Sequence, residues 1–144
     1  MGLQRATRGK QLVGEQAGDT VTVTFKQLGN AVLADEAFFV ADRAYEVAGV
    51  SQIHAVAGTD GGAVNLQLTK DTGTQAPGAG TDLLTNNANA GFNLKATANT
   101  VQAGTLTATL ASKRLAIGDR LSADYAGTLT TLVGVVMTVK LRRL

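Results

Sequence analysis

Polar and apolar residues alternate with a period of two along most of this chain, and that feature limits the backbone that can bury them. In Thr20-Val21-Thr22-Val23-Thr24-Phe25-Lys26, the apolar Val21, Val23 and Phe25 fall on one side, with Thr22, Thr24 and Lys26 on the other. Successive side chains of an extended strand point to opposite faces, so a β-strand gathers such a set onto one surface. The same pattern sets Val64, Leu66 and Leu68 against Asn65, Gln67 and Thr69, and Leu106, Ala108 and Leu110 against Thr105, Thr107 and Thr109. Near the C-terminus, Val133, Val135, Met137, Val139 and Leu141 predict one face of a long strand, and its other face is mixed. Shorter strands are expected over 37–41, 91–95 and 120–125. Residues 45–57 are long for one strand, and their alternation falters around Gly49, where a bulge or bend is expected.

Turn chemistry fills the gaps. Gly58-Thr59-Asp60-Gly61-Gly62 predicts a hairpin loop with Gly at the positive-φ positions. Residues 71–80 form a longer excursion that holds the single proline, Pro77. Residues 81–89 have room for one helical turn begun by Thr81, but their Asn residues favour loop. The best helical stripe, residues 27–37, is spoiled by Gly29 and Asn30. With 17 Gly, 19 Thr and seven to eight short strand candidates, the chain reads as all-β, a sandwich or barrel. Its 144 residues suit one domain: an N-terminal arm over 1–18 and a β-sandwich domain over 19–144 are expected.

Composition narrows the chemistry. There is no Cys, so disulfides, thiolate metal sites and Cys nucleophiles are excluded, and a single His rules out the usual poly-His zinc sites. No secretory h-region opens the sequence, and its longest apolar stretch, 132–141, is interrupted by Thr138 and Lys140. A membrane helix needs about 20 residues, so a soluble chain without a membrane partner is expected. The formal net charge of +2 is weak support for nucleic acid, and no nucleic-acid partner is expected. The basic residues are unevenly placed, however. Arg5, Arg8 and Lys10 crowd one end, and Lys140, Arg142 and Arg143 the other. They read either as solubilising termini or as basic arms that reach an acidic partner.

No catalytic constellation emerges. Asp71-Thr72-Gly73-Thr74 matches the aspartic-protease loop, but Thr69 and Lys70 precede the Asp where those enzymes place apolar residues. A neighbouring cation keeps an Asp ionised, so an Asx turn ending a strand is the better reading. His54 reads as a strand histidine facing solvent or an interface. Asp35, Glu36 and Asp42 flank an apolar run as solvated loop acids, since a sugar cleft would carry aromatic platforms and Trp is absent. One Asp in the 58–62 loop is no cage for calcium. No enzyme activity, metal or cofactor is expected. Phe38, Phe39 and Val40 are adjacent bulky residues that cannot all face one core from a regular strand. Either both faces of that strand are covered, or a Phe lies in an interface with another chain.

The runs Phe38-Phe39-Val40-Ala41-Asp42-Arg43-Ala44-Tyr45-Glu46-Val47, Val64-Asn65-Leu66-Gln67-Leu68-Thr69-Lys70-Asp71-Thr72-Gly73-Thr74-Gln75-Ala76-Pro77-Gly78 and Arg120-Leu121-Ser122-Ala123-Asp124-Tyr125-Ala126-Gly127-Thr128-Leu129-Thr130 carry a likeness. Over about Phe38 to Val139 the chain resembles the small cement, or decoration, proteins of tailed-bacteriophage heads, the jelly-roll podophage type in particular. The resemblance implies a jelly-roll sandwich of two antiparallel sheets and a structural virion protein made in the bacterial host cytoplasm. It implies a place on the outer capsid surface, as a homodimer or homotrimer that bridges major capsid protein subunits and stabilises the head. The family has no catalytic residues to transfer. From the residues themselves, Arg5, Arg8, Lys10, Phe38, Phe39, Arg142 and Arg143 are the candidate capsid or subunit contacts. A receptor-binding or tail-fibre head domain of a phage is the alternative; the absence of a preceding stalk and the scarcity of aromatics weigh against it.

Overall fold

In the computed structural model, which describes residues 17–30 and 34–144, the alternating segments become the strands of two antiparallel sheets. The first sheet orders β1 (Thr20–Asn30), β10 (Val133–Arg143) and β3 (Tyr45–Ile53), with the short β7 (Gln102–Ala103) and β8 (Arg114–Leu115) both along the far side of β3. The second orders β2 (Glu36–Val40), β9 (Arg120–Ala126) and β4 (Asn65–Asp71), followed by the short β5 (Thr81–Asp82) and β6 (Phe92–Asn93). The chain passes between sheets from β1 to β2, β2 to β3 and β3 to β4, then returns through the short strands to β9 and β10. These connections are those of the expected jelly roll.

The inward rows close the core. Val135, Met137, Val139 and Leu141 of β10 are fully buried, as are Leu66 and Leu68 of β4 and Leu121 and Ala123 of β9. Each fully buried side chain of Leu or Val size contributes roughly 1.5–3 kcal/mol relative to exposure. The bulge expected near Gly49 is present: Lys140 faces Gly49 and Leu141 faces Val47, which leaves Ala48 as the extra, exposed residue.

Three local expectations are corrected. Residues 58–62 do not close a hairpin, because β3 and β4 belong to different sheets, and none of the three glycines has positive φ. The segment crosses the sandwich instead, held by Thr59 N–H donating to Thr131 Oγ1 at 2.8 Å and Thr130 Oγ1 donating to Asp60 Oδ1 at 2.8 Å. Residues 105–110 form no strand. Leu106 makes a single bridge to Leu84, and Leu110 opens the helical turn α2 (Leu110–Lys113). The alternating stripe there has Ala108 at its centre, which offers too little apolar surface to anchor a strand. Third, within 81–89, where the sequence favours loop over a helical turn begun by Thr81, a short helical turn is present but begins after Thr85. This is α1 (Asn86–Asn89), with left-handed backbone at Asn87 (φ 52°), Ala88 (φ 52°) and Asn89 (φ 71°). Asn tolerates that region better than most residues. The buried Gln67 side chain holds the segment by donating to the Leu84 and Asn89 carbonyls, both at 2.9 Å.

Candidate interaction surface

Strand register turns the polar half of each alternation into ordered rows on the outside of the first sheet. Thr24, Thr138 and Ser51 form one row, Thr22, Lys140 and Gly49 the next, and Thr20, Arg142, Glu46 and Arg114 the third. Glu46 is nearly buried between two guanidiniums, with Arg142 at 2.5 Å and Arg114 at 3.5 Å. Lys26 stands on the same face of β1 and is exposed, as is Lys140. The face therefore bears Lys26, Lys140, Arg142 and Arg114 against Glu46, among hydroxyls. Hydroxyls donate and accept with little side-chain entropy to lose, which suits an adhesive surface.

The second sheet presents the opposite charge and is covered. Asp71 and Arg120 are register partners on β4 and β9. Arg120 donates to the carbonyls of Gly73 at 3.0 Å and Gln75 at 2.7 Å. Asp71 is fully buried; it accepts from Ser122 Oγ at 2.5 Å, Gly80 N–H at 2.9 Å, Gly78 N–H at 3.3 Å and Thr69 Oγ1 at 3.3 Å. Residues 72–80 are thereby tied down over the sheet. A Cβ on Gly78 would lie 2.9 Å from Asp35 Oδ2 and 3.3 Å from Asp124 Cβ, so the loop rests directly on that carboxyl pair. Asp124 is pushed up from 3.8 to about 6 by burial first, then by the charges of Asp35 and Asp82, a hydrogen bond with Asp35 and the charge of Asp71. Burial also raises Asp82.

The residues singled out in the sequence distribute over both ends and both faces. Arg142 joins the basic outer face through Glu46. Arg143 lies on the inward side of β10 opposite Tyr45, and its charge reaches Asp42. Tyr45 donates to Asp42 Oδ1 at 2.5 Å; that bond holds the Asp42 carboxyl below its usual range, with Arg43 and Arg143 adding to it, and raises the Tyr45 hydroxyl. Phe38 and Phe39 are both half-buried against the core. A bulge places Ala37 opposite Ser122 and Phe39 opposite Leu121, so Phe38 is an extra residue, freed from strict alternation. Its ring sits 5.8 Å from that of Phe25, and the Phe39 ring 5.6 Å from that of Tyr45. Arg5, Arg8, Lys10 and nearly all of the expected 1–18 arm lie outside the described residues.

His54 corrects its expectation. It is fully buried one residue past β3 rather than facing solvent, with Nδ1 3.0 Å from Gln52 Nε2 and Nε2 2.9 Å from the Ala96 carbonyl. Asp71 also does more than an Asx turn, since its partners reach from Thr69 to Ser122. Asp35, read as a solvated loop acid, accepts from Tyr125 N–H at 3.0 Å. Among the described residues, no group of three or more His, Asp or Glu side chains is placed to hold a metal ion.

One concavity was not anticipated. A cleft of about 560 Å³ is lined by Gly61, Gly62, Ala63, Asn65, Asn87, Ala90, Asn93 and Lys95. Lys95 braces it by donating to the carbonyls of Asp60 at 2.5 Å and Gly62 at 3.0 Å. The Asn-rich run over 86–93 was the signal available in the sequence; the residues that face it come from the 61–63 loop and the start of β4.

Comparison with known protein families, with curated proteins and with solved structures finds no match for this chain.

Proposed function

We propose that this chain is a structural virion protein that binds the outside of a phage capsid, bridges major capsid protein subunits and stabilises the head. The observation that carries the reading is the division of the sandwich into a hydroxyl-rich basic face, left uncovered among the described residues, and a loop-covered acidic one. A cement protein needs a rigid scaffold and one adhesive surface. Lys26, Lys140 and Arg142 would meet acidic capsid surface, and the repeated lattice would turn a modest affinity per site into firm attachment. The likeness of the 38–47, 64–78 and 120–130 runs to phage cement proteins supports the same reading. In it, the protein lies on the outer capsid surface, is made in the host cytoplasm and works as a homo-oligomer without cofactor or catalysis.

The test is copy number on purified particles, measured against the major capsid protein by mass spectrometry. A ratio near one, or a simple fraction of it, is expected. The double variant Lys26→Glu/Lys140→Glu, which leaves the Arg142–Glu46 pair untouched, should lower head occupancy about tenfold or more, with the wild-type affinity falling as salt rises. Unchanged occupancy removes the basic face from the reading. The polar Asn-lined cleft favours the second reading, a receptor-binding or tail-fibre head domain, and a few copies per particle would put that reading first.

A further inference from the structure

The two long sides of the sandwich are built differently. One is closed by the short strands β5, β6, β7 and β8 and the loops that carry them. On the other, β1 pairs with β10 and, among the described residues, has no neighbouring strand on its remaining side. From Thr20 to Gln27 its register with β10 runs without interruption, and the first irregularity comes between Gln27 and Asn30. Natural edge strands are usually blunted by proline, by bulges or by several charges. This stretch has no proline and no bulge, and Lys26 is its one charge. Beside the free edge, the inward-facing Val21 and Val23 are left half-exposed.

The direction of the free backbone groups follows from the ladder. Arg143 N–H donates to the Asp19 carbonyl at 2.8 Å, so residue 19 bonds toward β10. Bonded positions alternate in an antiparallel pair, which directs the N–H and C=O groups of Thr20, Thr22, Thr24 and Lys26 outward. These four residues are centred on Val23. A second copy related by a two-fold axis through Val23 places Thr22 against the mate's Thr24 and Thr20 against the mate's Lys26. All the outward groups of the four residues then find partners. On the inner face the same register sets Val23 against Val23 and Val21 against Phe25. The two Lys26 ammoniums stand six residues apart along the ladder, about 20 Å, so no like charges oppose.

We propose that β1 is a self-complementary docking edge for a second copy of this chain, and that two molecules pair antiparallel through Thr20–Lys26 about a two-fold at Val23. The two first sheets then become one continuous sheet, and the basic outer faces of both copies lie side by side. The inference deepens the homo-oligomer part of the function proposed above; it is tested on the free protein, so its failure and a failure of capsid binding are read separately.

The experiment measures the mass of the full chain in solution and cross-links it by design. Wild-type protein at micromolar concentration should sediment at twice its chain mass of 14.7 kDa. Thr22→Pro removes an outward N–H while leaving the β10 ladder intact, and Thr24→Lys puts two ammoniums beside the axis; each should shift the mass to that of one chain. Should the proline variant fail to fold, the lysine variant carries the test. In the proposed pairing the two Val23 residues form a non-hydrogen-bonded pair with Cα atoms about 4.5 Å apart, inside disulfide range. The chain has no native Cys, so Val23→Cys should become a covalent dimer on oxidation, while Val21→Cys, which faces Phe25, should not. A monomeric wild type overturns the proposal. So does a dimer that withstands Thr24→Lys, or one in which Val23→Cys fails to cross-link.

Discussion

Asp71 and Arg120 stand opposite each other in the β4–β9 ladder and hold the two halves of one loop, Arg120 at Gly73 and Gln75, Asp71 at Gly78 and Gly80. The carboxylate is buried and the guanidinium half-buried. The two therefore act differently: Asp71 satisfies donors shut away from water, whereas Arg120 reaches carbonyls that water also reaches.

Replacing Asp71 by Ala strands the Gly80 N–H and the Ser122 hydroxyl. The expected loss is about 3 kcal/mol of unfolding free energy, against about 1 kcal/mol for Arg120→Ala. Urea denaturation measures both, and limited proteolysis should cut within 72–80 first in each variant. Equal losses would mean that the loop does not depend on the buried carboxylate.

Asp124 makes stability depend on pH. Its folded-state value is raised from 3.8 to about 6, so between those values the native chain holds a proton that the unfolded chain releases. The contribution is fully present below about pH 4 and is lost as pH rises through about 6. Asp124→Asn should flatten that slope. Near pH 8 it should raise the unfolding free energy by about 1 kcal/mol, after allowance for solvent screening, with little change near pH 4. Thermal unfolding across that range checks it, and an unaltered slope would place the titration elsewhere.

Two glycines separate backbone need from loop composition. Gly127 has φ +94°, and a Cβ there would lie 1.9 Å from the Ala63 carbonyl oxygen; Gly61 has open space around it. Gly127→Ala should cost about 3 kcal/mol or more, and Gly61→Ala less than about 0.5 kcal/mol. Similar midpoints for the two variants in chemical denaturation would contradict the close approach of residues 63 and 127.

Much of this was legible from local pattern. The rows around Val21, Leu66 and Met137 follow from alternation, because a strand's two faces are set by neighbouring residues alone. The bulge near Gly49 was legible for the same reason. The segment 105–110 misled because its pattern was right but its bulk was not, and a strand forms only where another strand waits to pair with it.

The candidate surface was less legible. Arg142 could be named from its place in a basic run, but its partner Glu46 lies on another strand, and the buried His54 is bonded to Ala96, far along the chain. The double phenylalanine packs both rings against the core through a single extra residue in β2, and such a bulge is decided by the register with β9.

The sequence by itself determined that this chain is all-β, where its main strands run and which side chains form its core, since these depend on residues one or two positions apart. Only the tertiary structure decided that Asp35, Asp71, Asp82 and Asp124 gather under one loop, that the basic groups collect on the opposite face and that β1 is, among the described residues, an edge strand. Those arrangements depend on which strands become neighbours, and that is settled by burying both sheets against one another rather than by any stretch of sequence alone.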